Sequence, residues 1–190
     1  MKTLKIAVLP LILLSLLTMG GCATVAPETT ITGFQKVSSP ENKKVHLSLP
    51  VVVEKDMETK KNPDATEREV ANEMYNELKK NLVGKGIYAD RDDVPFKLEL
   101  RVHYVSRLLA EWEYFGSRML TDNRVMGGKI VVTEVWLKEK KGGGMVAKIN
   151  TINNTGTASD FRPIIQGTAV ELANQIEKIL KEGVSVGKSP

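Results

Sequence analysis

The chain has one cysteine, Cys22, and its surroundings indicate chemistry more clearly than those of any other side chain. Lys2 and Lys5 come first, an apolar run follows over Ile6–Leu17, and two glycines stand directly before the cysteine. A basic start, a short apolar run and small residues at a cleavage site are typical of a secretory signal. The run is also shorter than the ~20 apolar residues of an ordinary membrane-spanning helix. We therefore predict that residues 1–21 are an export signal and that Cys22 begins the mature chain.

The stretch from Leu16 to Cys22 resembles the lipobox of bacterial lipoproteins. The resemblance implies that diacylglycerol is attached to the Cys22 thiol, that cleavage occurs before it, and that its new amino group is acylated too, with fatty acids such as palmitate. Each buried methylene contributes about 0.8 kcal/mol, and two or more chains anchor firmly. Ala23 stands where Asp would signal inner-membrane retention, which implies the outer membrane, facing the periplasm. The alternative, a buried cysteine in an N-terminal helix, is disfavoured because signal segments are removed.

A second group of candidate residues lies between Leu108 and Gly128. Aromatic side chains and arginines follow one another closely there, and protein interfaces favour both types. We predict a partner-binding edge in this segment. The alternative is a β-hairpin arm whose aromatic rings cap the sheet. The candidate partner-binding residues are Trp112, Tyr114, Phe115, Arg118 and Arg124.

Other reactive residue types form no recognisable catalytic or metal site. The run Asp90–Asp93 has no central glycine and no distal glutamate, both of which an EF-hand loop needs. His46 and His103 are predicted on the wet faces of two strands, and a two-histidine metal site, the alternative there, has no carboxylate spaced to complete it. Ser117 has no histidine beside it, and no nucleophile elbow, zinc helix or P-loop occurs. We predict no enzymatic activity, no metal and no cofactor.

Composition restricts the class of partner. Cleavage before Cys22 leaves 169 of the 190 residues, enough for one domain and a tether, and lowers the formal net charge from +4 to +2. The remaining lysines and arginines form no stripe along one face, so we predict no nucleic-acid partner. Because the only cysteine is assigned to lipid, an apolar core alone must hold the domain together.

The start of the mature chain is predicted to be flexible. Residues 22–43 are rich in Pro, Gly, Ser and Thr, which indicates a tether that lifts the domain from the membrane. The alternative is an edge strand that begins with Ile31 and Phe34. A single domain then covers residues 44–183, and residues 184–190 form a disordered tail.

Two amphipathic helices and several strands are predicted within that domain. Thr66 and Glu69 have the spacing of a capping box, and apolar residues recur every four positions after it. A second helix follows Asp160, has Pro163 in its first turn and ends at Gly183. The predicted strands lie at 45–53, where Pro50 marks an edge or bulge, at 96–104, at 130–137, which is apolar on both faces and hence central, and at 145–151.

This order of elements predicts an α+β fold, a mainly antiparallel sheet with both helices on one face. The arrangement, with Gly116-Ser117-Arg118, Arg124 and Gly127-Gly128 before an apolar strand, resembles an uncharacterised family of bacterial envelope lipoproteins with a domain of unknown function. The resemblance implies a fold and a location but no activity. We predict a non-enzymatic envelope module that binds a protein or glycan. The alternatives are a structural, self-assembling envelope subunit and a hydrolase, and the oligomeric state stays open.

Overall fold

A computed structural model describes residues 27–34, 43–53, 59–91, 93–106, 129–154 and 161–183. These ranges contain six strands and two helices. No helix among them is both long enough and apolar enough to cross a membrane. In chain order, the elements are β1 (Glu28–Gly33), β2 (Val45–Leu47), β3 (Val51–Val52), α1 (Ala65–Gly84), β4 (Phe96–Ser106), β5 (Lys129–Glu139), β6 (Met145–Asn154) and α2 (Arg162–Glu182).

All six strands belong to one sheet with the order β1-β6-β5-β4-β2, and β3 also pairs with β4. β1, β6, β5 and β4 are antiparallel to their neighbours, whereas β2 and β3 run parallel to β4. The predicted α+β class is therefore confirmed. β5 pairs on both sides, which confirms its predicted central position and explains why its sequence is apolar on both faces.

One face of the sheet packs against both helices and forms the core. Residues that stand directly opposite each other in an antiparallel ladder share a face, so the pairs Leu98–Leu137 and Leu100–Val135 lie side by side. All four are fully buried, and α1 and α2 contribute their apolar stripes to the same cluster. The helix residues in this core are Val70, Ala71, Met74, Leu78 and Leu82 of α1 and Ile164, Ile165, Ala169, Leu172, Ala173, Ile176, Ile179 and Leu180 of α2.

The N-terminus of α1 lies two residues before the predicted one. Asp64 is the N-cap: its Oδ1 accepts from the Glu67 N–H at 2.9 Å, and its own N–H donates to Glu67 Oε2 at 2.8 Å. The prediction of Thr66 and Glu69 as the capping pair is therefore wrong. Asp64 and Glu67 have the same spacing, and Glu67 is additionally held by Lys60 Nζ at 2.8 Å from its Oε1. That ion pair stabilises the earlier start.

α2 begins and ends as predicted. Pro163 lies in its first turn, where no backbone N–H is needed. Gly183 is the C-cap with a φ of 80°, a conformation that favours glycine, and its N–H donates to the Ile179 carbonyl at 2.9 Å. The side chain of Asn153 on β6 donates to the Ile164 carbonyl at 3.4 Å and so joins the first turn of α2 to the sheet.

The structure differs from the tether prediction at one place. Glu28–Gly33 form β1, the outer strand of the sheet, within the segment predicted to be flexible. The alternative of an edge strand is the one the structure adopts, although Phe34 lies just after the strand and not within it. The strand exists because β6 offers it a full ladder of partners, from Ile152 to Ala147.

The predicted strand at 45–53 is divided into two. β2 and β3 both pair with β4, but Ser48, Leu49 and Pro50 separate them. Alternation with Val45 and Leu47 predicts an inward Leu49, and that prediction is wrong because the side chain is exposed. Pro50 has no N–H to donate to a ladder, so the chain leaves the sheet there.

Candidate functional site

The face of the sheet opposite α1 and α2 carries a cluster of charged, aromatic and polar side chains on β4, β5 and β6. We name this side of the sheet the helix-free face, because neither of the two described helices packs against it. The register of the two ladders places its side chains in three rows, each with one residue from each strand. The rows are Glu99, Trp136 and Lys148; Arg101, Glu134 and Asn150; and His103, Val132 and Ile152.

Trp136 occupies the centre of the first row and contacts two cations. The guanidinium carbon of Arg101 lies 3.9 Å from the centroid of its ring, and Lys138 Nζ lies 4.7 Å from it. Lys138 Nζ also lies 2.7 Å from Glu99 Oε2. A cation over an indole ring is attracted by the negative face of the ring. Trp136 is therefore held in one orientation, although part of the ring remains accessible to solvent.

Glu134 lies in the middle row and is completely buried. Its Oε1 accepts a hydrogen bond from Trp136 Nε1 and lies 3.1 Å from Lys148 Nζ. Its Oε2 is also buried, but no hydrogen-bond donor of the described residues lies within reach of it. A buried acceptor without a donor costs free energy, about 1–3 kcal/mol or more for a charged group. The helix-free face thus has an acceptor position at which a donor from water or from a ligand would be stabilising.

His103 is on the face that its sequence position predicts, but the expected wet environment is wrong because the side chain is only 5% exposed. Burial lowers the pKa of His103 to about 4, and the positive charges of Arg101 and Lys148 act in the same direction. The imidazole is therefore neutral at pH 7. Val132 and Ile152, its neighbours in the row, are apolar and buried, which explains the loss of water.

The two histidines do not come together. His46 stands opposite Lys97 in the β2–β4 ladder, six residues from His103 along β4. At roughly 3.3 Å per residue they are about 20 Å apart. This separation excludes the two-histidine metal site that the sequence left as an alternative. Within the described ranges, no three His, Cys, Asp or Glu side chains are placed to hold a metal ion.

The site residues predicted from the sequence lie outside the described residues. They are Cys22, Trp112, Tyr114, Phe115, Arg118 and Arg124, so lipidation and partner binding at these positions stay predictions. The structure does place the residues that flank the segment with the aromatic group. Ser106, which precedes residues 107–128, pairs with Lys129, which follows them, at one end of the β4–β5 ladder.

Sequence reasoning missed the cluster around Trp136. The alternation along β4 places Glu99, Arg101 and His103 on one face, but the β5 sequence reads as apolar on both. The signal was Glu134, a carboxylate within an otherwise apolar central strand. Only the register brings it beside Arg101 and Asn150, and no short-range pattern encodes a register.

Chemically, the helix-free face suits binding. Cationic, anionic and aromatic groups lie within a few ångströms of one another, and none of the three rows contains a hydroxyl or thiol nucleophile. Of the charged residues on this face of β4, β5 and β6, Lys97, Arg101, Lys138 and Lys148 outnumber Glu99 and Glu134. The part of the face on these three strands is therefore positive overall and complementary to acidic groups, whereas β1 adds Glu28 on the same side of the sheet.

No family model and no curated protein matches the chain. Among solved structures, it is similar to PelC from Paraburkholderia phytofirmans, described as a dodecamer in two crystal forms, one of a point variant. The TM-scores are 0.49 and 0.47, with 12% and 13% identity over 78% and 76% of this chain and 97% and 94% of PelC. A Xanthomonas campestris protein assigned to DUF330 is similar at a TM-score of 0.41, with 10% identity over 82% of this chain and 93% of that one.

At 10–13% identity, these structures are similar to this chain in fold alone. With TM-scores below 0.5, they carry no argument about an anchor, a ligand or an assembly of this chain.

Proposed function

We propose that the protein is an exported, non-enzymatic accessory module of the bacterial envelope that binds a protein or glycan partner. Acyl chains on Cys22 anchor it, and Ala23 directs it to the outer membrane, where it faces the periplasm. The support for the anchor is the basic, apolar and small-residue order that precedes Cys22. The support for binding is the chemistry of the helix-free face.

The observation that carries the binding proposal is Trp136 with its two cations. Tryptophan and arginine are among the residues most enriched at the positions that dominate binding energy. Trp136 is partly exposed and so can be reached by a partner. Trp136 is pre-ordered by Arg101 and Lys138, so little side-chain entropy is lost when a partner contacts it. The positive balance of the face favours a partner with acidic groups, such as carboxylates of a protein or of a glycan.

The test is partner capture by photo-crosslinking in intact envelopes, with the acylated full chain. Trp136→Ala should lower capture roughly thirtyfold, the equivalent of about 2 kcal/mol of binding free energy. Lys178→Ala, an exposed change on α2, is the matched control and should leave capture unchanged. Thermal melts of each variant separate lost binding from lost folding. Undiminished capture by folded Trp136→Ala contradicts the proposal. A protease-sensitive captured species identifies a protein, and a glycosidase-sensitive one a glycan.

The same assay examines the predicted aromatic segment. If Trp112, Tyr114 and Arg118 contact the partner, changing each to Ala lowers capture while the melting temperature stays near that of the parent. If their rings instead pack in a core, Trp112→Ala and Tyr114→Ala cost roughly 3–5 kcal/mol of folding free energy and the melting temperature falls markedly.

The anchor has its own test. Cys22→Ser should remove fatty-acid labelling and leave the domain folded, because no described core residue lies near that position in the chain. Density-gradient fractionation should place the parent protein in the outer membrane. An unlabelled parent, or one that separates with the inner membrane, contradicts the anchor or the sorting respectively. A hydrolase, the least favoured alternative, would require turnover that disappears with a single side chain, and no observation on the described face favours one.

A further inference from the structure

The outer strand β1 has one free edge. It pairs with β6 on one side, and no strand of the described ranges pairs with the other. The hydrogen bond from the Phe34 N–H to the Val146 carbonyl, at 2.9 Å, shows which residues of β1 direct their backbone groups towards β6. Residues of an antiparallel strand alternate between bonding the neighbour and facing away from it. Thr29, Ile31 and Gly33 therefore turn their backbone N–H and C=O groups outward.

Apart from the charge of Glu28, β1 lacks the features that usually prevent strands from pairing between molecules. Natural edge strands are kept apart by lysines, prolines, bulges or extreme shortness. β1 has six residues, neither lysine nor proline, and a continuous register with β6. At the other edge, β2 and β3 have three and two residues and are separated by Pro50. The edge formed by β2 and β3 is therefore short and interrupted, whereas the edge formed by β1 is continuous and able to pair.

Apolar side chains are exposed beside the free edge. Ile31 is 37% and Phe34 51% exposed. Val170 on α2 is 46% exposed, and it lines a cleft of about 420 Å³ together with Pro27, directly before β1, and with polar residues of both helices. An added strand would therefore satisfy outward backbone groups and also cover apolar surface, which are the two contributions that strand addition combines.

We infer that β1 is an assembly strand that pairs antiparallel with β1 of a second copy of this chain across a twofold axis. The sequence of β1 can pair with a second copy of itself without a clash of charges. With the axis at Ile31, that residue faces its own copy, Thr30 faces Thr32, and Glu28 faces Phe34, so no like charges meet. Threonine and β-branched pairs of this kind stabilise adjacent strands. The two six-stranded sheets become one, and the helices of both copies lie on the same side of it.

Disulfide trapping in intact envelopes tests this pairing, because the only native cysteine lies outside the strand. Ile31→Cys places two thiols opposite each other at a backbone spacing of about 5.5 Å, within the range that a disulfide spans. Mild oxidation should convert most of this variant to a reducible dimer. Val83→Cys, whose native side chain is 54% exposed and lies on α1, is the control for random collision and should stay monomeric.

A backbone change separates strand pairing from simple proximity. Thr29→Pro in the Ile31→Cys background removes one outward N–H but no hydrogen bond to β6, so the dimer should be lost while the melting temperature changes little. Equal trapping of Ile31→Cys and Val83→Cys overturns the inference, and so does a dimer that survives Thr29→Pro. A disulfide adduct with a different protein assigns the edge to another partner and also overturns it. The inference does not depend on the proposed function, since capture at Trp136 and trapping at Ile31 involve different elements.

Discussion

The two faces of the sheet use the same three strands in opposite ways. On the face that packs against the helices, β4 and β5 present Leu98 and Leu137 side by side, and both are fully buried. In the next pair of the ladder, Glu99 and Trp136 stand side by side on the helix-free face, where Lys138 joins them. The first face is held by area removed from water and the second by paired charges. The difference teaches that fold and candidate site are encoded in alternate residues of one strand.

Neither face is uniform, however: the helix side contains buried polar side chains, and the helix-free face contains side chains that are buried as well. The helix side contains a hydroxyl pair, Thr133 with Thr151, which hydrogen-bond to each other and are both fully buried. The helix-free face contains Val132 and His103, which are buried as well. The polar pair is tolerated because one hydroxyl donates to the other, so that each has a hydrogen-bond partner. On the helix-free face, burial has instead changed the protonation of a side chain.

The largest expected effect comes from a change on the helix side. Leu98→Ala should lower the free energy of unfolding by roughly 2–5 kcal/mol, because it removes buried apolar area and leaves a cavity. Its matched control is Glu99→Ala on the same strand, which breaks a partly exposed ion pair with Lys138 and should cost about 1 kcal/mol or less. Urea denaturation of both variants measures the contrast. Similar losses from the two would mean that the helix-free face contributes to stability as the core does.

The next effect is the pH dependence caused by His103. Its pKa is about 4 in the folded protein, against 6.5 for an unperturbed histidine, so the folded protein binds fewer protons than the unfolded chain between these values. The free energy of unfolding is therefore highest above pH 6.5, and it decreases by about 3 kcal/mol as the pH falls towards 4. Denaturation at pH 7.5, 5.5 and 4 follows the loss.

The control variant, His103→Gln, should flatten the curve in that range. The stability that depends on the ionised Glu177 is lost at lower pH, between 4.5 and 2, because hydrogen bonds from Lys181 and Lys85 lower the pKa of that carboxyl to about 2. A parent protein whose stability does not change between pH 6.5 and 4 would mean that His103 is not buried in solution.

The smallest effect is expected within the polar cluster itself. Glu134→Gln keeps an acceptor for Trp136 but removes the charge that Lys148 meets at 3.1 Å. A double-mutant cycle with Lys148→Gln should give a coupling free energy of about 1 kcal/mol, since Glu134 is buried but Lys148 is partly exposed. A coupling near zero would show that the two charges are independent and that the second face adds nothing through this pair.

Much of the architecture was predictable because its signals are local. The alternation over Phe96–Tyr104 and the four-residue period after Val70 depend only on neighbouring positions, and both elements formed as predicted. Element boundaries were less predictable: Asp64 and Thr66 both begin a capping-box spacing, and the structure uses Asp64, whose partner Glu67 is also paired with Lys60. β1 was the hardest to predict, because the sequence Glu-Thr-Thr-Ile-Thr-Gly has no apolar alternation and becomes a strand through β6.

The sequence by itself determined the α+β class, the helix stripes and the central position of β5, because the period of apolar residues is written in each short segment. It also predicts export and lipidation at Cys22, a signal that needs no fold. Only the tertiary structure decided that Arg101, Glu134 and Asn150 share one row, that His103 is buried, and that β1 is the outermost of the described strands on one side of the sheet. Which residues pair, which are buried and which strand is outermost all depend on residues far apart in the chain. The contacts that stabilise these features form only when the strands come together.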